Sequence, residues 1–135
     1  WPAEAGAKQA MIELVVELAA KARAERPGFI LMMQNAEALL PYADLTDVID
    51  AHNKESLLTG LPDPNSQNSP QDVEWSLSYL RRLQQLGMPT FATEYVSDQT
   101  LRLAVRRRLT QLGFVAFFAT YGLDRLPGAD GEAEN

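Results

Sequence analysis

Residues 87–120 read GMPTFATEYVSDQTLRLAVRRRLTQLGFVAFFAT, and this stretch decides the fold. Two short apolar runs, at 90–93 and 114–119, lie on either side of a helical pattern at 99–112. Apolar residues recur in that pattern every three or four positions, and Asp98 ahead of it is a residue type that caps helices. A strand, a helix and a second strand of these lengths predict two parallel strands joined by a helical crossover.

The rest of the chain repeats this alternation of strands and helices. The predicted elements before residue 87 are a helix at 7–25, a strand at 29–33, a short helix at 36–41 capped by Asn35, a strand at 46–51 and a helix from Pro70 to Leu86 capped by Ser69. The run at 29–33 shows no polar alternation, which is typical of a strand covered on both faces. We therefore expect an α/β fold in which four parallel strands alternate with helices.

The first helix is predicted to be amphipathic. Its apolar stripe consists of Met11, Val15, Leu18 and Ala22, with Ile12 and Ala19 at the flank. The segment 62–68, rich in proline and asparagine, is long for a connection in a compact domain. It is either a functional lid or a plain surface excursion, and the residues leave both open.

Composition limits the class of protein. The chain has 135 residues, 46% of them hydrophobic, which suits one domain with its own core. The formal net charge of −6 argues against nucleic acid as a partner. There is no cysteine, no apolar run long enough to cross a membrane and no basic-then-apolar pattern of a signal peptide at the start, so we predict neither thiolate metal sites nor a membrane partner.

The expected domain spans residues 1–126, and the acidic tail at 127–135 is expected to be disordered. Because the chain begins with Trp1 rather than methionine, we expect it to be a trimmed, processed or excised piece.

Polar side chains follow each predicted strand at the point where its apolar run ends. They are Gln34 and Asn35, then His52, Asn53, Lys54 and Glu55, then Glu94 and Tyr95, and finally Thr120 and Tyr121. The carboxyl ends of parallel strands meet at one edge of a sheet, and binding and catalytic sites form there. We therefore expect Gln34, Glu55, Glu94 and Tyr121 to surround a shared pocket.

Two carboxylates are the candidates for chemistry. Glu94 ends an apolar strand and Glu55 lies just past one, and a carboxyl group whose pKa is raised by burial can act as a general acid. The alternative for each is a solvated loop residue or a structural ion pair. His52 is the single histidine, so no metal site is predicted, and no phosphate-binding loop supports a nucleotide cofactor.

Several short strings occur in an order that resembles glycoside hydrolase family 114, the endo-α-1,4-polygalactosaminidase-like proteins. These strings are Pro27-Gly28-Phe29, Gln34-Asn35-Ala36-Glu37, Glu55-Ser56-Leu57, Thr93-Glu94-Tyr95-Val96, Gly113-Phe114 and Asp124-Arg125-Leu126. The resemblance covers about residues 1–126 and implies the carboxyl-terminal half, strands five to eight, of a (β/α)8 barrel.

The resemblance also implies a function. It makes Glu55 one of two catalytic carboxylates and implies that Gln34, Asn35, Glu94 and Tyr95 line a cleft for an amino-sugar polysaccharide. In the family the partner is an Asp on the fourth strand of the barrel, in a segment that ends just before a position like Trp1, and that Asp is absent here. The family implies a secreted or periplasmic protein. No cofactor is predicted.

Three functions stay open at this point. Glycoside hydrolysis needs two carboxyl groups, about 5–5.5 Å apart in retaining enzymes and about 6.5–9.5 Å apart in inverting ones, so Glu55 alone supplies one of two roles. The chain is therefore a glycosidase half, a non-catalytic carbohydrate-binding remnant, or a structural module. A half barrel also leaves open sheet edges, which predicts a homodimer or pairing with a missing amino-terminal half.

Overall fold

The computed structural model describes residues 5–123. Its elements are helix α1 (Ala5–Glu25), strand β1 (Met32–Gln34), a 3-10 turn (Glu37–Leu39), helix α2 (Ala43–Thr46), strand β2 (Ala51–Glu55), helix α3 (Pro70–Gln85), strand β3 (Thr90–Glu94), helix α4 (Gln99–Gln111) and strand β4 (Val115–Phe118). The strands form one parallel sheet in the order β1-β2-β3-β4. The predicted α/β class, with four parallel strands alternating with helices, is confirmed. The tail predicted at 127–135 lies outside the described residues.

The helix boundaries follow from local chemistry. The Ser69 side chain accepts a hydrogen bond from the Asp72 amide, and the Asp98 side chain accepts one from the Leu101 amide. Each bond satisfies an amide that the first turn of a helix leaves without a partner. α3 and α4 therefore begin where the sequence predicts.

The first two strands lie later than predicted. The strand expected at 29–33 is β1 at Met32–Gln34, and the one expected at 46–51 is β2 at Ala51–Glu55. Ile30 is 73% exposed, because the residues before β1 form a connection rather than part of the sheet. The polar residues His52 to Glu55 consequently lie within a strand and not in the loop after it.

The helix predicted at 36–41 is also corrected. A 3-10 turn and the short helix α2 replace it, and Asn35 is not a helix cap. Ala36 occupies the capping position, where its methyl side chain can form no hydrogen bond, and the Asn35 side chain is bonded to Glu55.

The buried face of α1 is rotated from the predicted one. The two predicted flank residues, Ile12 and Ala19, are each 1% exposed, whereas Met11 and Leu18 of the predicted stripe are about half exposed. The helix is apolar over more than one face, so periodicity alone does not identify the side that packs.

The sheet has one covered face and one open face. Parallel pairing places paired residues on the same face, and neighbours along a strand alternate. His52, Ala92, Glu94 and Phe118 lie on the covered face, each 4% exposed or less. On the open face Met32, Val115 and Phe117 are 49%, 56% and 44% exposed. An apolar sheet face left this open is typical of a surface that another element covers.

The loop at 62–68 is held by hydrogen bonds. The Asn65 side chain accepts hydrogen bonds from the Ser97 and Asp98 amides, and the Asn68 side chain donates to the carbonyls of Ser56 and Leu57. These contacts favour the fixed surface excursion over the lid. Within residues 5–123, no helix has the length and apolar character needed to cross a membrane.

Candidate active site

Glu55 is the centre of a hydrogen-bonded cluster at the carboxyl end of the sheet. Asn35 Nδ2 donates to Glu55 Oε2 at 2.8 Å, and Asn35 Oδ1 accepts from the Glu55 amide at 2.9 Å. The Tyr95 hydroxyl donates to Glu55 Oε1. Side-chain hydrogen bonds from Tyr95, Asn35 and Gln34 lower the pKa of Glu55 against a smaller opposing effect of desolvation. Glu55 is therefore an ionised, well-oriented carboxylate at neutral pH.

Tyr95 extends this cluster towards solvent. Desolvation, followed by its hydrogen bond to Glu55, raises the pKa of Tyr95 to about 12, so the hydroxyl keeps its proton and remains a donor. The Tyr95 and Tyr121 rings lie 5.0 Å apart between centroids, and Tyr121 is 63% exposed. The two rings form an aromatic rim beside the carboxylate.

The backbone around Glu55 is strained. Asn35, Ala36 and Ser56 have φ angles of 56°, 51° and 51°, in the left-handed region that residues with a side chain rarely adopt. These three residues directly follow β1 and β2. Strain of this kind persists where surrounding contacts hold it and is concentrated at functional sites.

Two further polar residues lie on the open face next to Glu55. Asn53 precedes Glu55 by two positions on β2, and Thr93 is the register partner of Glu55 on β3. Thr93 Oγ1 donates to Asn53 Oδ1 at 3.1 Å. Neither residue is among the predicted cleft residues, although Asn53 is one of the polar side chains expected at the end of the second strand. The two-residue period of a strand that places Glu55 on this face also places Asn53 there.

Of the predicted cleft residues, Glu94 is the one that the structure places elsewhere. It lies on the covered face with 0% exposure and accepts hydrogen bonds from the Leu58 amide, the Thr59 amide and the Thr59 hydroxyl at 2.8, 3.1 and 2.6 Å. Burial raises the pKa of Glu94 despite these hydrogen bonds. The sheet separates it from Glu55, so Glu94 holds the loop after β2 rather than lining the cleft. Gln34, Asn35 and Tyr95 hydrogen-bond to Glu55, and Tyr121 contacts Tyr95.

His52 supports the site from the covered face. Its Nε2 lies 3.0 Å from the Asn35 carbonyl, which can only accept, so Nε2 carries the proton. Nδ1 is buried without a hydrogen-bond partner among the described residues. Across residues 5–123, no three His, Asp or Glu side chains are grouped as metal ligands would be.

The buried neutral state of His52 predicts a pH-dependent stability. Desolvation lowers the pKa of His52, against smaller raising effects of the Asn35 carbonyl and Glu37. The unfolded chain therefore binds a proton below pH ~6.5 that the folded chain does not bind until lower pH, and stability falls as pH decreases. The slope from one such group is at most about 1.4 kcal/mol per pH unit.

We expect His52→Gln to remove this dependence. Urea denaturation of the parent and the variant between pH 7 and 5 measures it, and the contribution of Glu94 cancels because both proteins contain that residue. Equal slopes in the two proteins would show that His52 titrates normally in the folded chain.

The strands present a single carboxylate on the open face. Glu55 is the only carboxylate among the β1–β4 residues of that face. An ionised carboxylate flanked by amides and a phenol can accept a proton, activate water or stabilise a developing positive charge.

Known proteins resemble this chain in sequence or in fold. No protein-family model matches the chain. An uncharacterized protein of Deinococcus radiodurans is 29% identical over 122 residues, which cover 90% of this chain and 39% of that protein. The glycoside hydrolase domain of PelA from Pseudomonas aeruginosa matches with a TM-score of 0.69 and 25% identity, over 87% of this chain and 48% of its own. A Glu-to-Ala variant of that domain matches with a TM-score of 0.68 and 24% identity.

The chain therefore spans about half of the structures that it matches and less than half of the Deinococcus protein. Over that span it has a glycoside hydrolase-like fold.

Proposed function

We propose that this chain forms the carboxyl-terminal half of a glycoside hydrolase barrel and that Glu55 is its catalytic general acid/base. The observation that carries the proposal is the position of Glu55 at the carboxyl end of β2, bonded to Asn35 and Tyr95. That edge of a parallel sheet is where (β/α) enzymes place their active sites. Gln34, Asn35, Tyr95 and Tyr121 are proposed to bind substrate.

The second carboxyl group is proposed to come from another four-stranded half. An Asp from that half, approaching within the roughly 5–9.5 Å range of glycosidase pairs, would raise the pKa of Glu55 through like-charge repulsion. Glu55 would then hold a proton for the leaving oxygen in one step and accept one from water in the next. In the isolated chain the pKa of Glu55 is lowered, which suits the step in which Glu55 accepts a proton from water.

The proposed substrate is an amino-sugar polysaccharide. Amide side chains and the Tyr95 hydroxyl provide hydrogen-bond partners for sugar hydroxyls, and the Tyr95–Tyr121 rim offers an apolar surface for a pyranose ring. The formal net charge of −6 favours a polymer with free, protonated amines. The resemblance to family 114 adds a polygalactosaminidase-like specificity and a secreted or periplasmic location to the proposal.

The open face is proposed to be covered by the other half of the barrel. Three about half-exposed side chains, Met32, Val115 and Phe117, would gain roughly 2–4 kcal/mol by complete burial. The relatives' chains extend well beyond the matched part, which favours a half in the same polypeptide over a second copy of this chain. A homodimer is the alternative, since β1 and β4 both have unpaired edges.

A chimera in which this chain replaces the matching part of the PelA glycoside hydrolase domain tests the proposal. We expect the chimera to release oligosaccharides from partially deacetylated galactosaminoglycan, detected by mass spectrometry, and the 135-residue chain alone to release none. A folded chimera without hydrolysis would contradict the catalytic proposal. Glycan binding by the isolated chain would then support a carbohydrate-binding remnant.

Phe117→Ser tests, in the same two proteins, whether another half of the barrel covers the open face. We expect it to destabilise the chimera by about 1–3 kcal/mol more than it destabilises the isolated chain, because only the chimera buries that ring. Leu86→Ser is the matched control, since Leu86 is 58% exposed at the end of α3, off the sheet. An equal effect of Phe117→Ser in both proteins would show that nothing covers the open face.

A further inference from the structure

A charged pair lies on the covered side of the sheet, directly behind Glu55. Lys54 Nζ is 3.5 Å from Glu37 Oε1, and the side chains of Lys54 and Glu37 are only 13% and 6% exposed. Ser76 of α3 donates from Oγ to the same Glu37 oxygen at 2.8 Å. Three elements, the turn after β1, strand β2 and helix α3, therefore meet at this pair.

Stability alone is a weak reason for such a pair. Removing two opposite charges from water costs several kcal/mol per ion in general, and replacing a buried pair by apolar residues of similar size is often neutral or stabilising. A function in holding a particular geometry accounts for the pair better than its energy does.

That geometry is the main chain at Glu55. Lys54 Nζ donates to the Glu55 carbonyl oxygen at 2.8 Å, immediately before the left-handed Ser56. Glu37 begins the turn that follows the left-handed residues Asn35 and Ala36. The pair thus joins, on the covered side, the same two strand ends that the Asn35–Glu55 hydrogen bonds join on the open side.

We infer that Glu37 and Lys54 are positioning residues that fix the main chain of Glu55 and, through it, the direction of its carboxylate. Lys54 holds the Glu55 carbonyl, and Glu37, held by Ser76, sets the position of the Lys54 ammonium. The part of this inference that concerns catalysis rests on the proposed function of Glu55, while the part that concerns main-chain order is independent of it.

The test in the 135-residue chain is amide hydrogen exchange measured by NMR in the double variant Glu37→Gln/Lys54→Met. We expect the Glu55 and Ser56 amides, which donate to Asn35 Oδ1 and the Thr93 carbonyl, to exchange at least about tenfold faster. Core amides such as those of Leu80 and Leu109 are expected to exchange at parental rates. Acceleration below threefold at Glu55 and Ser56 would overturn the inference.

A second measurement is the kinetics of the chimera. We expect the double variant to lower kcat about 10–100-fold with KM changed less than threefold, because small misplacement of a catalytic group costs rate rather than binding. Titration of the Glu55 side-chain carbon by NMR should give a higher pKa, since the Lys54 charge helps to lower it beside the larger effect of Tyr95. A parental kcat together with an unchanged Glu55 titration would overturn the inference.

Controls separate positioning from folding. The exposed pair Glu17 and Lys21 on α1, changed to Gln and Met, should leave every readout unchanged. If the double variant does not fold, Ser76→Ala loosens Glu37 without removing a charge, and we expect about threefold faster exchange at Glu55. Parental exchange in Ser76→Ala would count against the inference. Full activity of Glu55→Gln would overturn the proposed function. The exchange measurement would then still test whether Glu37 and Lys54 order the main chain at Glu55.

Discussion

Glu55→Gln is expected to lower kcat of the chimera by about 10²–10⁴-fold, the usual contribution of a general acid/base group. Glutamine keeps the size of the side chain and an oxygen that accepts from Tyr95, but it neither takes nor gives a proton. Substrate contacts made by the other cleft residues remain, so KM should change little. Initial rates with mass-spectrometric product detection measure both constants.

The control for this change is Glu13→Gln, an exposed glutamate on α1 whose side chain contacts only Gln9 among the described hydrogen bonds. It should leave kcat and KM at parental values. Turnover of Glu55→Gln within threefold of the parent would exclude Glu55 as the catalytic group.

The pKa of Glu55 provides an independent test for a second carboxylate. The pKa of Glu55 is lowered in the isolated chain, chiefly by the Tyr95 hydrogen bond. A second carboxylate within glycosidase distance would raise the pKa in the chimera, because two nearby negative charges oppose each other's ionisation. NMR titration of Glu55 in both proteins compares the two states. A pKa as low in the chimera as in the isolated chain would mean that no partner carboxylate approaches.

Glu94→Ala is expected to reduce the free energy of unfolding by about 3–5 kcal/mol, a large share of what a small domain has. The change leaves the Leu58 amide, the Thr59 amide and the Thr59 hydroxyl without their buried acceptor. Each unsatisfied buried donor costs about 1–3 kcal/mol. Glu94→Gln should cost less than half as much, since its amide oxygen still accepts.

Urea denaturation followed by circular dichroism measures these losses. Glu13→Ala is the matched control on an exposed helix surface and should change stability by less than about 0.5 kcal/mol. A loss below about 1 kcal/mol for Glu94→Ala would show that the loop after β2 finds other partners. In that case Glu94 would not be the residue that holds it.

The starts of α3 and α4 were the most predictable part of the fold. Capping residues such as Ser69 and Asp98 bind amides two or three positions away. Their effect is therefore local and can be predicted from the neighbouring sequence. The limits of β1 and β2 were less predictable, because a parallel strand gains its hydrogen bonds from residues far along the chain. The run 29–33 is apolar enough for a strand, yet pairing with β2 begins only at Met32.

The two glutamates illustrate the same limit at the site. Both follow or end apolar runs and look alike in sequence, yet Glu55 lies on the open face and Glu94 on the covered face. A strand exposes alternate residues on opposite sides, so a difference of one position reverses the side on which a residue lies.

The sequence by itself determined the α/β class, the number and order of the strands, and the gathering of Gln34, Asn35, Glu55 and Tyr95 at one sheet edge. These follow from periodicity, helix caps and the common direction of parallel strands, all of which act over short stretches. Only the tertiary structure decided which glutamate faces the cleft, which side of α1 is buried, and that Lys54 and Glu37 meet behind Glu55. Those outcomes depend on strand register and on contacts between distant segments, which no local pattern encodes.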